Sequence, residues 1–145
     1  MSSKRAGANA SLIEALERVS LFAGLPKKTM LQIANMCHQH TFDPGDEIVT
    51  QGDRSGRFYM IDSGNAEVRV NGHVVNTLTA GQHFGEYAVI DREPRSASVV
   101  ATTEVHAFSL ASITLRPLLK EQPEITYRLL LNACERLRAA QNTFS

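Results

Sequence analysis

From about His38 to Leu110 the chain is written in strands and turns. Roughly eight short apolar stretches follow one another at a spacing near nine residues, each closed by a turn signal. Asp43-Pro44-Gly45-Asp46, Gln51-Gly52-Asp53, Ser63-Gly64 and Ala80-Gly81 are such signals. Asn71-Gly72 is the strongest of them, because a two-residue hairpin turn needs positive φ at both central positions. Phe58-Tyr59-Met60-Ile61 reads as a buried strand, and Ala66, Val68 and Val70 alternate with polar residues as a half-buried strand does. Parallel strands would need crossover helices, and none intervenes. The pattern therefore predicts an antiparallel β-roll or jelly-roll barrel.

Helices flank this region. Leu12, Ile13, Leu16 and Val19 recur at helical spacing, and so do Met30, Leu31, Ile33, Ala34 and Cys37 after a break at Gly24-Leu25-Pro26. Beyond the roll, Leu115, Leu118 and Leu119 form one short face. Pro123 then separates a last helix carrying Ile125, Leu129, Leu130, Ala133 and Leu137. The expected order is a flexible N-terminus over residues 1–10, then a single domain over 11–145. Within it, helices cover about 11–37, the β-roll about 38–110, and a second helix pair about 111–140. A length of 145 residues fits one domain.

The net charge is zero, which argues against nucleic acid as the main partner, since such domains carry a basic excess. The total conceals a pattern. Residues 1–40 carry a net +3, residues 41–110 a net −5 and residues 111–145 a net +2. No apolar run approaches the length of a membrane span, and the first ten residues lack the apolar stretch of a secretory signal. Cys37 and Cys134 lie in apolar-patterned segments and read as buried, reduced thiols, so a cytoplasmic location is expected.

Residues 81–98, GQHFGEYAVIDREPRSAS, interrupt the strand pattern. Gly85 permits backbone amides to approach an anion closely. Glu86-Tyr87-Ala88-Val89 can form one helical turn whose first N–H groups are free for a phosphate. Arg95 offers a forked, permanently charged donor to the same group, and Ser96 a hydroxyl. Glu86 is too close to the anion to be a phosphate ligand itself, but it can accept sugar hydroxyls. A phosphate beside a ribose hydroxyl points to a nucleotide.

The pattern Phe84-Gly85-Glu86-x-Ala88, followed after six residues by Arg95-x-Ala97, resembles the phosphate-binding cassette of the cyclic nucleotide-binding domains. Leu21-Phe22-x-x-Leu25 is similar to that family's N-terminal helical segment, and the turn glycines fall where its β-roll turns lie. The resemblance implies a bacterial member that binds cAMP in preference to cGMP. It assigns Arg95 to the exocyclic phosphate oxygens, Glu86 to the ribose 2′-hydroxyl, backbone amides to Gly85 and Ala88, and a further polar contact to Ser96. Tyr87 and Ala97 complete the cassette, and Phe84 packs. The last helix would cover the base, with Leu130, Leu137 and Phe144 as lid candidates by apolarity, or Arg136 and Arg138 by stacking.

The resemblance implies a non-catalytic sensor acting on an effector protein or domain, with no resident cofactor. The alternative is a regulatory piece of a larger kinase, channel, transporter or transcription regulator. The apolar terminal helices would suit a homodimer. A cupin-like metal enzyme is the remaining reading, resting on His38-Gln39-His40. That motif also needs a third histidine and a carboxylate at set positions; here the position six before His38 is Gln32, not the glycine such motifs carry, and no Glu follows three to five residues after His40. A solvated strand edge is the simpler expectation for the two histidines.

Overall fold

Strand β4 (Arg57–Ser63) is apolar without alternation because both of its faces are buried. Phe58 and Met60 point into a core shared with the helices, while Tyr59 and Ile61 point into a second core inside the roll. The computed structural model describes residues 2–5, 10–54 and 56–143. The other strands are β1 (Ser2–Arg5), β2 (His38–Phe42), β3 (Glu47–Val49), β5 (Ala66–Val70), β6 (His73–Leu78), β7 (His83–Phe84), β8 (Ser98–Ala101) and β9 (Val105–Ala111). They form two antiparallel sheets, ordered β1-β2-β9-β4-β7 and β3-β8-β5-β6. Phe42, Ile61, Phe84 and Val105 from the first meet Val49, Ala66, Leu78 and Val99 from the second, so the two sheets close on one apolar interior.

Helices cover the outer face of the larger sheet. They are α1 (Ala10–Glu17), α2 (Lys27–Met36), α4 (Ser112–Glu121) and α5 (Pro123–Thr143), with the short α3 (Glu86–Asp91) inside the roll sequence. Leu16, Phe22, Ile33, Leu115, Leu118 and Ile125 pack with Phe58 and Leu110 in one cluster. Pro123 opens α5, a position where its missing N–H costs nothing. The Asn71-Gly72 turn has φ of 53° and 80° and pairs Val70 with His73, as a primed hairpin requires.

Three expectations change. The first ten residues are not wholly free of structure: β1 pairs antiparallel with β2, its backbone donors and acceptors satisfied along that edge. Cys37 is buried, and burial pushes its thiol up to about 12, but Cys134 is exposed on α5 and both are free thiols. His38-Gln39-His40 is not a solvated edge, because β2 lies between β1 and β9. His40 is buried, with Nε2 2.6 Å from the Ser109 hydroxyl, to which Arg57 also donates at 2.8 Å. Its ring stacks on Phe42. Among the described residues no three His, Cys, Asp or Glu side chains are grouped to hold a metal ion. No described helix is long and apolar enough to cross a membrane.

Candidate functional site

The β7–α3 junction turns on Gly85, whose φ of +93° is a left-handed conformation that side chains resist. Space excludes a side chain there as well. A Cβ on Gly85 would stand 2.6 Å from the Arg57 carbonyl oxygen and 2.7 Å from Nη1 of Arg95. The chain then forms α3, which ends at Arg92 in a second left-handed conformation. This reversal carries the chain back towards β8 and delivers Arg95 beneath α3.

Arg95 is held from both its backbone and its side chain. Its N–H donates to the Asp53 carbonyl at 2.7 Å, and its carbonyl accepts from the Gly52 N–H at 2.9 Å. The Gln51-Gly52-Asp53 turn therefore fixes where this residue sits. Nη1 donates to the Gly85 carbonyl at 2.9 Å and Nη2 to the Arg57 carbonyl at 2.7 Å, while Nε is buried with no hydrogen-bond partner among the described residues. Arg95 is 5% exposed, and no described carboxylate lies within ion-pair distance of it. Burial works against its charge, with Tyr59, Glu86 and Asp53 partly offsetting that effect. A guanidinium stays protonated even so. The result is a buried cation without an anion, an arrangement costly unless a ligand supplies one.

Beside it opens a cavity of about 720 Å³. Gly85, Tyr87, Ala88, Arg95, Ser96 and Ala97 all line it. Val68, Val70, Val75 and Leu78 make an aliphatic wall from the β5–β6 hairpin, and Phe84 and Val99 contribute from below. Of the cassette residues the sequence singles out, Glu86 alone does not reach the cavity wall. It is 1% exposed and lies behind Arg136. Arg136 Nη1 stands 3.3 Å from Glu86 Oε1 and 3.4 Å from the Tyr87 hydroxyl, with the guanidinium 5.6 Å above the Tyr87 ring. Burial alone would raise the Glu86 pKa. The neighbouring His83, its own backbone N–H and Arg136 outweigh burial and hold it below the usual carboxylate value.

The lid candidates sort differently from the apolar expectation. Arg136, Ala139 and Ala140 of α5 line the cavity. Leu130 and Leu137 are exposed and do not line it, nor does Arg138, and Phe144 lies outside the described residues. The reason is helical phase. Ile125 and Leu129 are the buried residues of α5, and steps of three and four from them lead to Asn132, Arg136, Ala139 and Ala140. The two leucines sit on another face. His83, buried with Nδ1 3.3 Å from Glu86 Oε2, is a contact that reading the sequence missed. Its one signal was the three-residue spacing across the turn into α3.

Comparison with known proteins agrees with this geometry. The profile of the family described as Cyclic nucleotide-binding domain matches residues 39–122. The cAMP-dependent protein kinase type II regulatory subunit of Drosophila melanogaster is 35% identical over 136 residues, covering 92% of this chain and 36% of its own length. The chain thus spans about a third of that relative. The regulatory domain of Toxoplasma gondii PKA, co-crystallised with cAMP, superposes with a TM-score of 0.77 at 26% identity, over 87% of this chain and 49% of that one. The catabolite activator protein of Thermus thermophilus gives the same TM-score and identity over 86% and 61%. A roll closed on one apolar interior, a Gly85–Ala88 turn above a buried arginine and a profile match over more than half the sequence lead to one assignment: the chain belongs to the cyclic nucleotide-binding domain family.

Proposed function

We propose that this chain is a cyclic nucleotide sensor that binds without turnover and prefers cAMP to cGMP. The observation that carries the reading is Arg95: a buried guanidinium whose Nε has no hydrogen-bond partner among the described residues, beside a cavity of nucleotide size. In this reading Nε and the Gly85 and Ala88 amides take the cyclic phosphate, and Ser96 adds a polar contact. Tyr87 and Ala97 shape the wall. The base lies against the aliphatic strand wall under Ala139 and Ala140, and the ribose 2′-hydroxyl goes to Glu86.

Glu86 is covered by Arg136, so the ribose must displace that side chain. Displacement frees the distal half of α5 to repack. A second route runs through α3, whose Val89 is buried in the helix-side core and accepts a hydrogen bond from Arg116 of α4 at 2.9 Å. Ligand at the cassette and helices on the outer sheet are thereby mechanically joined. A ligand shifts such an equilibrium only by its affinity difference between the two arrangements. The response passes to an effector protein or a further domain, and a cytoplasmic location belongs to the same reading. Two of the relatives named above support it, one a cAMP-dependent protein kinase regulatory subunit and the other a PKA regulatory domain co-crystallised with cAMP.

Competition titration of the purified chain with cAMP and cGMP tests the proposal, repeated on Arg95→Ala. Loss of the buried charge pair with phosphate should weaken cAMP binding by about a hundredfold or more. Unchanged affinity in Arg95→Ala would remove this residue, and with it the reading of the site.

A further inference from the structure

His83 is buried at the base of the cassette, yet none of the ligand contacts proposed above uses it. Its Nδ1 stands 3.3 Å from Oε2 of Glu86, three residues along the chain and across the Gly85 turn. Neither atom has a hydrogen-bond partner among the described residues, and the pair lies at ion-pair distance without hydrogen-bond alignment. The imidazole cannot easily leave, because it packs on Phe58 with ring centroids 5.4 Å apart. Arg136, on the opposite side of the carboxylate, is 42% exposed at its side chain and free to swing away.

We infer that His83 is a positioning residue for Glu86: it holds Oε2, so that Oε1 is the oxygen presented to the sugar hydroxyl when Arg136 withdraws. The inference rests on the reading of Glu86 as the ribose acceptor. The physical need is plain. A carboxylate this deeply buried with one mobile partner would rotate or take a proton once that partner left. A donor fixed on the other oxygen prevents both. The small rotation that would align Nδ1–H with Oε2 brings the pair to a charge-assisted hydrogen bond, stronger than a neutral one.

The test separates action through Glu86 from general packing. Affinities for cAMP and for 2′-deoxy-cAMP, which lacks the hydroxyl, are measured on the native chain, His83→Leu and His83→Asn. Asparagine places an amide nitrogen near the position of Nδ1. His83→Leu should lose about fivefold in cAMP affinity while 2′-deoxy-cAMP changes by less than about twofold, and His83→Asn should recover cAMP affinity to within about twofold. Equal weakening of both nucleotides in His83→Leu, no weakening of either, or failure of His83→Asn to recover would each overturn the positioning role. A native chain that binds neither nucleotide would overturn the reading of the site itself, and this inference with it.

Discussion

At the scale of single residues, the polar cluster of His40, Ser109 and Arg57 in the roll makes a measurable electrostatic claim. His40 faces an apolar interior, hydrogen-bonded to Ser109, and Arg57 donates to the same hydroxyl. Burial, then the charge of Arg57, then His38, bring its pKa from 6.5 down to about 4. The unfolded chain therefore takes up a proton on this imidazole before the folded one does. Where the unfolded state binds more protons, stability rises with pH. The contribution is complete above pH 6.5 and is lost as pH falls towards 4, amounting to at most about 3 kcal/mol. Urea melts of the native chain and of His40→Gln at pH 7 and pH 4 check it. The native chain should lose more stability than the variant by up to that amount, and equal losses would show that the imidazole is not held neutral. The same residue marks a limit of the sequence. His38-Gln39-His40 shows no apolar signature, so nothing in it announced that β2 would run inside the sheet with an imidazole turned inward.

At the scale of elements, the strand-and-turn arithmetic made the roll legible, because each turn rests on local backbone chemistry that few residues satisfy. The cassette was legible for the same reason: Gly85 and Arg95 are bound to a geometry in which even a Cβ collides. The lid was not legible from apolarity. Helix α5 spends Ile125 and Leu129 on the core, then passes over the cavity with Arg136 and two alanines, while Leu130, Leu131 and Leu137 face outward. The sequence offered Arg136 as a stacking alternative to the leucines; reading the phase onward from Ile125 places it, with Ala139 and Ala140, at the cavity. This placement gives α5 a polar latch, because Arg136 is its contact with the buried Glu86 carboxylate. The guanidinium is half-exposed to solvent although the carboxylate is buried, so the contact is worth about 1 kcal/mol. Removing it should loosen the distal half of the helix and open Glu86 to a ribose. In Arg136→Ala, amide hydrogen exchange over residues 133–143 should quicken without nucleotide, and cAMP should bind about threefold more tightly. Weaker binding with unaltered exchange would instead place Arg136 against the base.

At the scale of the molecule, the uneven charge along the sequence is folded back on itself. Arg136 from the basic C-terminal segment meets Glu86 of the acidic middle, and Arg18 from the basic N-terminal segment meets Asp62 at 3.1 Å. The middle nevertheless keeps its net −5, and two of its carboxylates, Asp91 and Glu93, line the cavity itself. Against them the lining sets Arg95 and Arg136, so a nucleotide monoanion meets a balanced lining within an acidic segment, and long-range attraction cannot be what gathers it. On the reading proposed above, affinity comes from donors in contact with the phosphate, above all the buried Arg95. Salt screens exposed charges beyond a Debye length of about 10 Å at 0.1 M but reaches buried pairs far less. The two exposed carboxylates and the buried donor therefore respond oppositely: added salt screens the first and hardly touches the second. Raising sodium chloride from about 50 mM to about 500 mM should leave the dissociation constant for cAMP unchanged or lowered, within about twofold. Isothermal titration across that range measures it. A tenfold weakening would mean that surface cations capture the ligand, and would shift the binding energy from Arg95 to the basic ends of the chain.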